Sequence, residues 1–105
     1  METMDYFHVI NSYLFIRMAK ELDHHKAIRI REMADRYIEG QHIEFVVFDF
    51  EDTSFMDSSG IGVIMGRYKK IQILGGRVLA VHVSDRIRRI FRLSGLNKIV
   101  EVLES

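Results

Sequence analysis

The sequence predicts an α/β fold in one domain: a mixed, mostly parallel sheet with amphipathic helices, in the order ββαβαβαβ. Three observations carry this. Apolar, β-rich runs alternate with segments whose apolar residues recur at helical spacing. Phe45–Phe50 is a near-continuous apolar run of branched and aromatic side chains, the pattern of a central strand covered on both faces. A chain of 105 residues is long enough for one core and too short for two.

Taken in order, Asp5–Ile10 and Tyr13–Met18 are β-rich runs broken by Asn11-Ser12 and read as a hairpin. Asp23 is the expected cap of a first helix in which Ala27, Ile30, Met33, Ala34, Tyr37 and Ile38 form one apolar stripe, and Gly40 ends it. Lys26, Arg29, Arg31, Glu32, Asp35 and Arg36 lie largely off that stripe. The central strand follows, then a polar break at Glu51-Asp52-Thr53-Ser54. A second helix starts near Ser58, with Ile61, Ile64, Met65, Tyr68 and Ile71 on one face, and stops at Gly75-Gly76, a pair suited to left-handed backbone. Val78–Val83 is the next strand. Ser84 or Asp85 caps a third helix with Ile87, Ile90 and Phe91 inward; Gly95 ends it, and Ile99–Leu103 is the last strand. Single helices between strands imply parallel pairing through right-handed crossovers, with the hairpin adding an antiparallel strand at one side.

Composition narrows the function. Basic and acidic residues balance at 15 each, so no global field draws the chain to nucleic acid or to an anionic membrane. There is no cysteine, which removes thiol nucleophiles, disulfides and cysteine metal sites and suits a reducing compartment. The first residues lack the basic and apolar regions of a secretory signal, and no apolar run approaches the roughly 20 residues of a spanning helix. The expectation is a soluble, cytoplasmic protein.

The start of the second helix is the place to look for function. Asp57, Ser58 and Ser59 are all capping types, and in open α/β sheets sites gather beyond the carboxyl ends of strands. Competing chemistries are weaker. Gly60, Gly62 and Gly66 miss the dinucleotide spacing by one residue, and glycines in a first turn also serve to let a neighbour approach the backbone. A hydrolase elbow would require glycine where Met56 stands, and a Ser58 hydrolase would also need a histidine and an acid brought to the serine. His24 and His25 are consecutive, so they point in different directions and do not form a helical metal pair. The arginines at 86, 88, 89 and 92 make a basic helix face, read as solvated or as a patch for an acidic partner. Neither a metal nor a cofactor is expected.

Phosphorylation suits Ser58 better. A phosphoryl group adds roughly −1.5 to −2 charges, which a helix amino terminus accommodates in the free protein. In the middle of a contact surface the same group, beside Asp57 and near Asp52, would demand desolvation of further charge.

The run Phe55-Met-Asp-Ser-Ser-Gly-Ile-Gly62-Val-Ile-Met-Gly-Arg-Tyr-Lys69, with Glu21-Leu-Asp-His-His25 upstream and Leu93-Ser-Gly-Leu96 downstream, closely resembles the STAS-domain anti-sigma factor antagonists, most of all their sporulation type. The resemblance spans nearly the whole chain. It implies a STAS-type single domain over residues 1–105, without catalytic residues of its own, that is phosphorylated on Ser58 by an anti-sigma factor serine kinase and restored by a serine phosphatase. The unphosphorylated form would bind the kinase and release the sigma factor. Asp23, Asp57, Ser58, Ser59, Gly60 and Gly62 would form the partner-binding surface of a monomer that engages neither nucleic acid nor membrane. A small Ser58-dependent hydrolase and a STAS module of another bacterial signalling pathway are the alternatives. Lys20 stands where the family usually has glycine, and the sequence stops at Ser105, where members commonly continue into a helix; extra apolar exposure on the last strand or first helix is the expectation.

Overall fold

A computed structural model describes residues 6–104, so Asp5 of the predicted hairpin lies outside the described residues. The strands are β1 (Phe7–Ile10), β2 (Tyr13–Arg17), β3 (Glu21–Leu22), β4 (Phe45–Asp49), β5 (Phe55–Met56), β6 (Arg77–Val81) and β7 (Glu101–Val102). The helices are α1 (His24–Gly40), α2 (Ser58–Ile73) and α3 (Asp85–Ser94), and a 3₁₀ turn spans Leu96–Lys98. The main sheet runs β1-β2-β4-β6-β7, antiparallel at β1–β2 and parallel elsewhere, with β4 in the middle. The expected mixed sheet, hairpin and central strand are all present.

One expectation fails. Helices cover the sheet on one face, not both. Leu14, Ile16, Val46, Phe48, Val78 and Ala80 join buried residues of all three helices in a single core. The alternate residues point away from it. Successive right-handed crossovers that step in one direction across a sheet keep every helix on the same side, which explains the asymmetry. Phe45 is therefore half-buried, stacked on Tyr13 with ring centroids 4.4 Å apart, and Val47 is buried between its cross-strand neighbours Phe15 and Leu79.

The remaining differences are local. α2 buries Val63 and Arg67 beside Ile64 and Ile71, while Ile61, Met65 and Tyr68 only pack against the margin of the core. The reason is that α2 faces both the sheet and α1, so its buried stripe is rotated from the purely apolar one. Met33 and Tyr37 of α1 are likewise marginal. Gly75 takes the left-handed conformation at φ 85°, but Gly76 does not. Gly76 is needed because a Cβ there would strike the Glu44 carbonyl oxygen and lie 2.7 Å from Ile71 Cγ1. β6 covers Arg77–Val81, ending before His82 at φ 57°, and β7 is shorter than Ile99–Leu103 because the 3₁₀ turn occupies the preceding chain. Ser84 caps α3: its hydroxyl accepts from Ile87 N at 3.2 Å. β3 and β5, absent from the predicted order, form a separate parallel pair.

Candidate functional site

That small pair builds the site. Glu21 lies opposite Phe55 and Leu22 opposite Met56. Leu22 and Met56 are buried, whereas Glu21 and Phe55 face outward, Phe55 with half its surface exposed. One residue beyond each strand comes a helix cap, Asp23 for α1 and Asp57 for α2. A parallel pairing in this register holds the two helix starts abreast. The β4–β5 loop is fastened by Ser54 N and Phe55 N, which donate to the Lys20 carbonyl at 2.8 and 3.3 Å. The buried Thr53 hydroxyl donates to the Ala19 carbonyl at 2.8 Å. Lys20 has no positive φ, so lysine fits this backbone without strain.

Asp57, rather than either serine, is the cap of α2: its Oδ1 accepts from Ser59 N at 2.8 Å and Gly60 N at 3.4 Å. Ser58 is consequently the first helical residue, exposed, and among the described residues its hydroxyl has no hydrogen-bond partner. Ser59 is half-buried and its Oγ sits 3.5 Å from His24 Nδ1, a long contact across the two helix starts. Asp23 Oδ1 accepts from Lys26 N at 3.0 Å, and that backbone bond holds the exposed carboxyl below the usual carboxylate range.

The two glycines behave differently. Gly60 is buried, and a Cβ there would collide with the Met56 side chain and sit 3.2 Å from Leu22 Cβ. Its bareness lets α2 settle on the β3–β5 pair. Gly62 is exposed with nothing within 4 Å of a notional Cβ, so nothing in the described chain requires it. Asp23, Asp57, Ser58, Ser59, Gly60 and Gly62 thus share one corner. Phe55, Glu21 and His24 belong to it too and were missed. The pairing with β3, two residues long, is what turns Phe55 outward.

Behind the corner, α1 and α2 are locked by charge. Arg67 Nε lies 3.0 Å from Asp35 Oδ1, with the arginine side chain 7% exposed. The N–H is misaligned for a hydrogen bond, and among the described residues the buried Nη1 has no hydrogen-bond partner either. Burial lowers the Arg67 pKa, Asp35 opposes that shift and Arg31 adds to it. Lys70 bridges Asp35 at 3.6 Å and Glu39 at 2.6 Å.

Potential metal ligands converge elsewhere, at Asp49, Glu51 and His82. Their carboxylates are already engaged: Asp49 Oδ1 with His82 Nδ1 at 2.8 Å, and Glu51 with Arg17 at 2.8 Å. No described helix is long and apolar enough to cross a membrane.

The fold is one that other proteins share. Residues 7–105 match the STAS domain family. The chain belongs to that family. A Paenibacillus polymyxa protein named anti-sigma F factor antagonist is 38% identical over 92 residues, covering 88% of this chain and 79% of the relative. The anti-sigma factor antagonist SpoIIAA in its unphosphorylated form superposes with a TM-score of 0.83 at 31% identity, covering 92% of this chain and 85% of that one. Phosphorylated Bacillus SpoIIAA, described as a cell fate determinant, superposes with a TM-score of 0.72 at 32% identity, covering 92% and 90%. The STAS fold expected from the sequence is therefore the fold of this chain.

Proposed function

We propose that this protein is an anti-sigma factor antagonist: its unphosphorylated form docks on an anti-sigma factor serine kinase and frees the sigma factor, and phosphorylation of Ser58 ends the docking. The observation that carries the reading is the Ser58 hydroxyl, exposed in the first turn of α2 and, among the described residues, without a hydrogen-bond partner. A kinase can reach it without opening the fold. In the reaction the Ser58 oxygen forms a bond to the γ-phosphorus of ATP as the bond to ADP breaks, and a base on the kinase takes the hydroxyl proton. This chain supplies only the acceptor. A serine phosphatase would reverse the state by hydrolysis. The setting is cytoplasmic, where ATP and sigma factors are.

Asp57 explains why the phosphate would act outward. The amides of Ser59 and Gly60 already bond its carboxylate, so a phosphate on Ser58 has the helix dipole but not those two donors. It would project from the corner beside two carboxylates, Asp57 and Asp23. A partner that closes over this surface must then bury uncompensated negative charge. Gly62, with open space over it, suits close approach of that partner's backbone.

The hydrolase alternative gains no support, because among the described residues no histidine or acid is bonded to Ser58, and the imidazole of His24 contacts Ser59 instead. Incubation with a purified anti-sigma factor kinase and ATP, followed by intact mass and site mapping, tests the proposal. One phosphoryl group on Ser58, absent from Ser58→Ala, is the expected result. No transfer by kinases of either the sporulation or the general-stress type would sink it, and a phosphate on Ser59 would move the acceptor by one residue.

A further inference from the structure

α3 carries more positive charge than its own fold can use. Ile87 and Phe91 are its buried residues, and Ile90 packs at the margin of the core. At about 100° per residue, the side opposite Ile87 and Phe91 is centred on Arg89, with Arg86 and Leu93 to one side of it and Asp85 and Arg92 to the other. Arg88 is half-buried, and its Nη2 donates to Glu104 Oε2 at 3.1 Å. Arg86, Arg89 and Arg92 are exposed, and among the described residues the side chain of none of them forms an ion pair or a hydrogen bond. The helix leads into β7, the edge strand opposite β1.

Helix electrostatics count against this arrangement. Arg86 is the second helical residue, where the dipole disfavours a cation. Arg86 with Arg89, and Arg89 with Arg92, are like-charged neighbours at i, i+3, which repel. Only Arg92, in the last turn, sits where the dipole favours it. On the same outer face Leu93 leaves 80% of its surface in water.

We propose that the outer face of α3 is a docking surface, and that its occupant is an acidic helix of a protein partner. Arg86, Arg89, Ile90 and Leu93 stand at i, i+3, i+4 and i+7, the spacing that one helix presents to another laid along it. Carboxylates at matching spacing on the partner would relieve the repulsion between the arginines, and each planar guanidinium can hold a carboxylate through two N–H donors. An apolar residue one turn farther along would cover Leu93 and the exposed edge of Ile90. The phosphates of a nucleic acid would meet the arginines but leave that apolar end in water, and the chain as a whole has no net positive charge to hold a polyanion. A bilayer finds no apolar face to take up, because Ile87 and Phe91 are already in the core. Neither the face nor its occupant depends on the state of Ser58.

The probe is a designed peptide of about 14 residues, with glutamates at helical i, i+3 and i+7 spacing and leucines beside them, titrated into the full chain by NMR. Backbone amides from Arg86 to Leu93 should shift. The double variant Arg86→Glu/Arg89→Glu should weaken binding about tenfold or more. It should melt no lower than the wild type, because glutamate at position 86 suits the first turn and glutamate at position 89 attracts Arg92 where arginine repelled it. Leu93→Ala should weaken binding about threefold or more through lost apolar contact. Lys26→Glu/Arg36→Glu on α1 makes the same change in net charge and should bind the peptide as the wild type does. No binding of the peptide, equal weakening in the two double variants, shifts that avoid α3, equal binding of a lysine-for-glutamate peptide, or tighter binding of a short DNA duplex than of the peptide would each overturn the proposal.

Discussion

The two ends of the α1–α2 contact are built on opposite terms. At the amino-terminal corner each helix start is held by its own side-chain cap, the two helices meet through a long contact between an imidazole and a hydroxyl, and the polar groups stay in or near water. Farther along, Arg67 is sealed against Asp35, with Lys70 and Glu39 around them. The contrast separates two demands. On the proposed function the corner gains and loses a phosphate and has to tolerate extra charge without unfolding, whereas the crossing that holds it in place gains by having one arrangement. A buried ion pair is a weak source of net stability, because desolvation offsets attraction, but breaking it is expensive.

The largest effect expected at the open end is on binding. Ser58→Asp should leave the melting temperature close to wild type, since negative charge at a helix start is mildly favourable. Affinity for the anti-sigma factor kinase should fall by about 2–5 kcal/mol, the cost of an uncompensated charge in an interface. Calorimetric titration beside Ser58→Ala, which should bind with little loss, measures this. Equal affinities of the two variants would remove the switch.

The closed end should answer in the reverse sense. Asp35→Ala strands the Arg67 guanidinium and should cost about 3 kcal/mol of stability, read by urea denaturation, while leaving phosphorylation of Ser58 intact below the transition. Replacing both partners with apolar residues, Asp35→Leu with Arg67→Met, should recover most of that loss. A double variant as unstable as Asp35→Ala would mean the pair stabilises the crossing outright.

This contrast also marks what the sequence could tell. The strand alternation, the three caps and the exposed serine are legible because they are local: capping residues and apolar spacing act within a few positions, and Asp23 and Ser84 are caps as expected. Arg67 was not legible, since nothing local distinguishes an arginine that meets Asp35 on another helix from one in solvent. The β3–β5 pair was missed for the same reason. Two residues per strand carry no periodicity, and their pairing joins positions 34 apart in the chain, Glu21 with Phe55. The expected cover on both faces came from reading burial as coverage by helices, when Val47 is covered by its own neighbours in the sheet.

A smaller effect tests whether the caps at the corner are separable from the docking surface. Asp57→Ala removes the acceptor for two first-turn amides and should lower stability by about 0.5–2 kcal/mol. Kinase binding of the folded variant should fall by more than this accounts for if Asp57 also meets the partner. For Asp23→Ala the comparison is the same, with a smaller shift in melting temperature, because its carboxylate is fully exposed and bonds a single amide. Wild-type affinity in either folded variant would confine that residue to its cap.

The smallest effect lies outside both ends, at the carboxyl ends of β4 and β6, and it has a defined sign. The hydrogen bond and charge of Asp49 raise the His82 pKa above its ordinary value; Glu51 adds to this, and slight desolvation and Arg17 oppose it. Protonated His82 therefore stabilises the fold. That contribution is fully present below the ordinary histidine range, about 6.5, and is lost as pH rises through the elevated folded value. Exposure and salt keep it small. His82→Asn isolates it, because asparagine tolerates the left-handed backbone at φ 57° while carrying no titrating group. Urea midpoints measured from pH 5.5 to about 8.5 should decline less steeply in the variant than in the wild type. Parallel curves would show that the His82–Asp49 contact contributes nothing that depends on the proton.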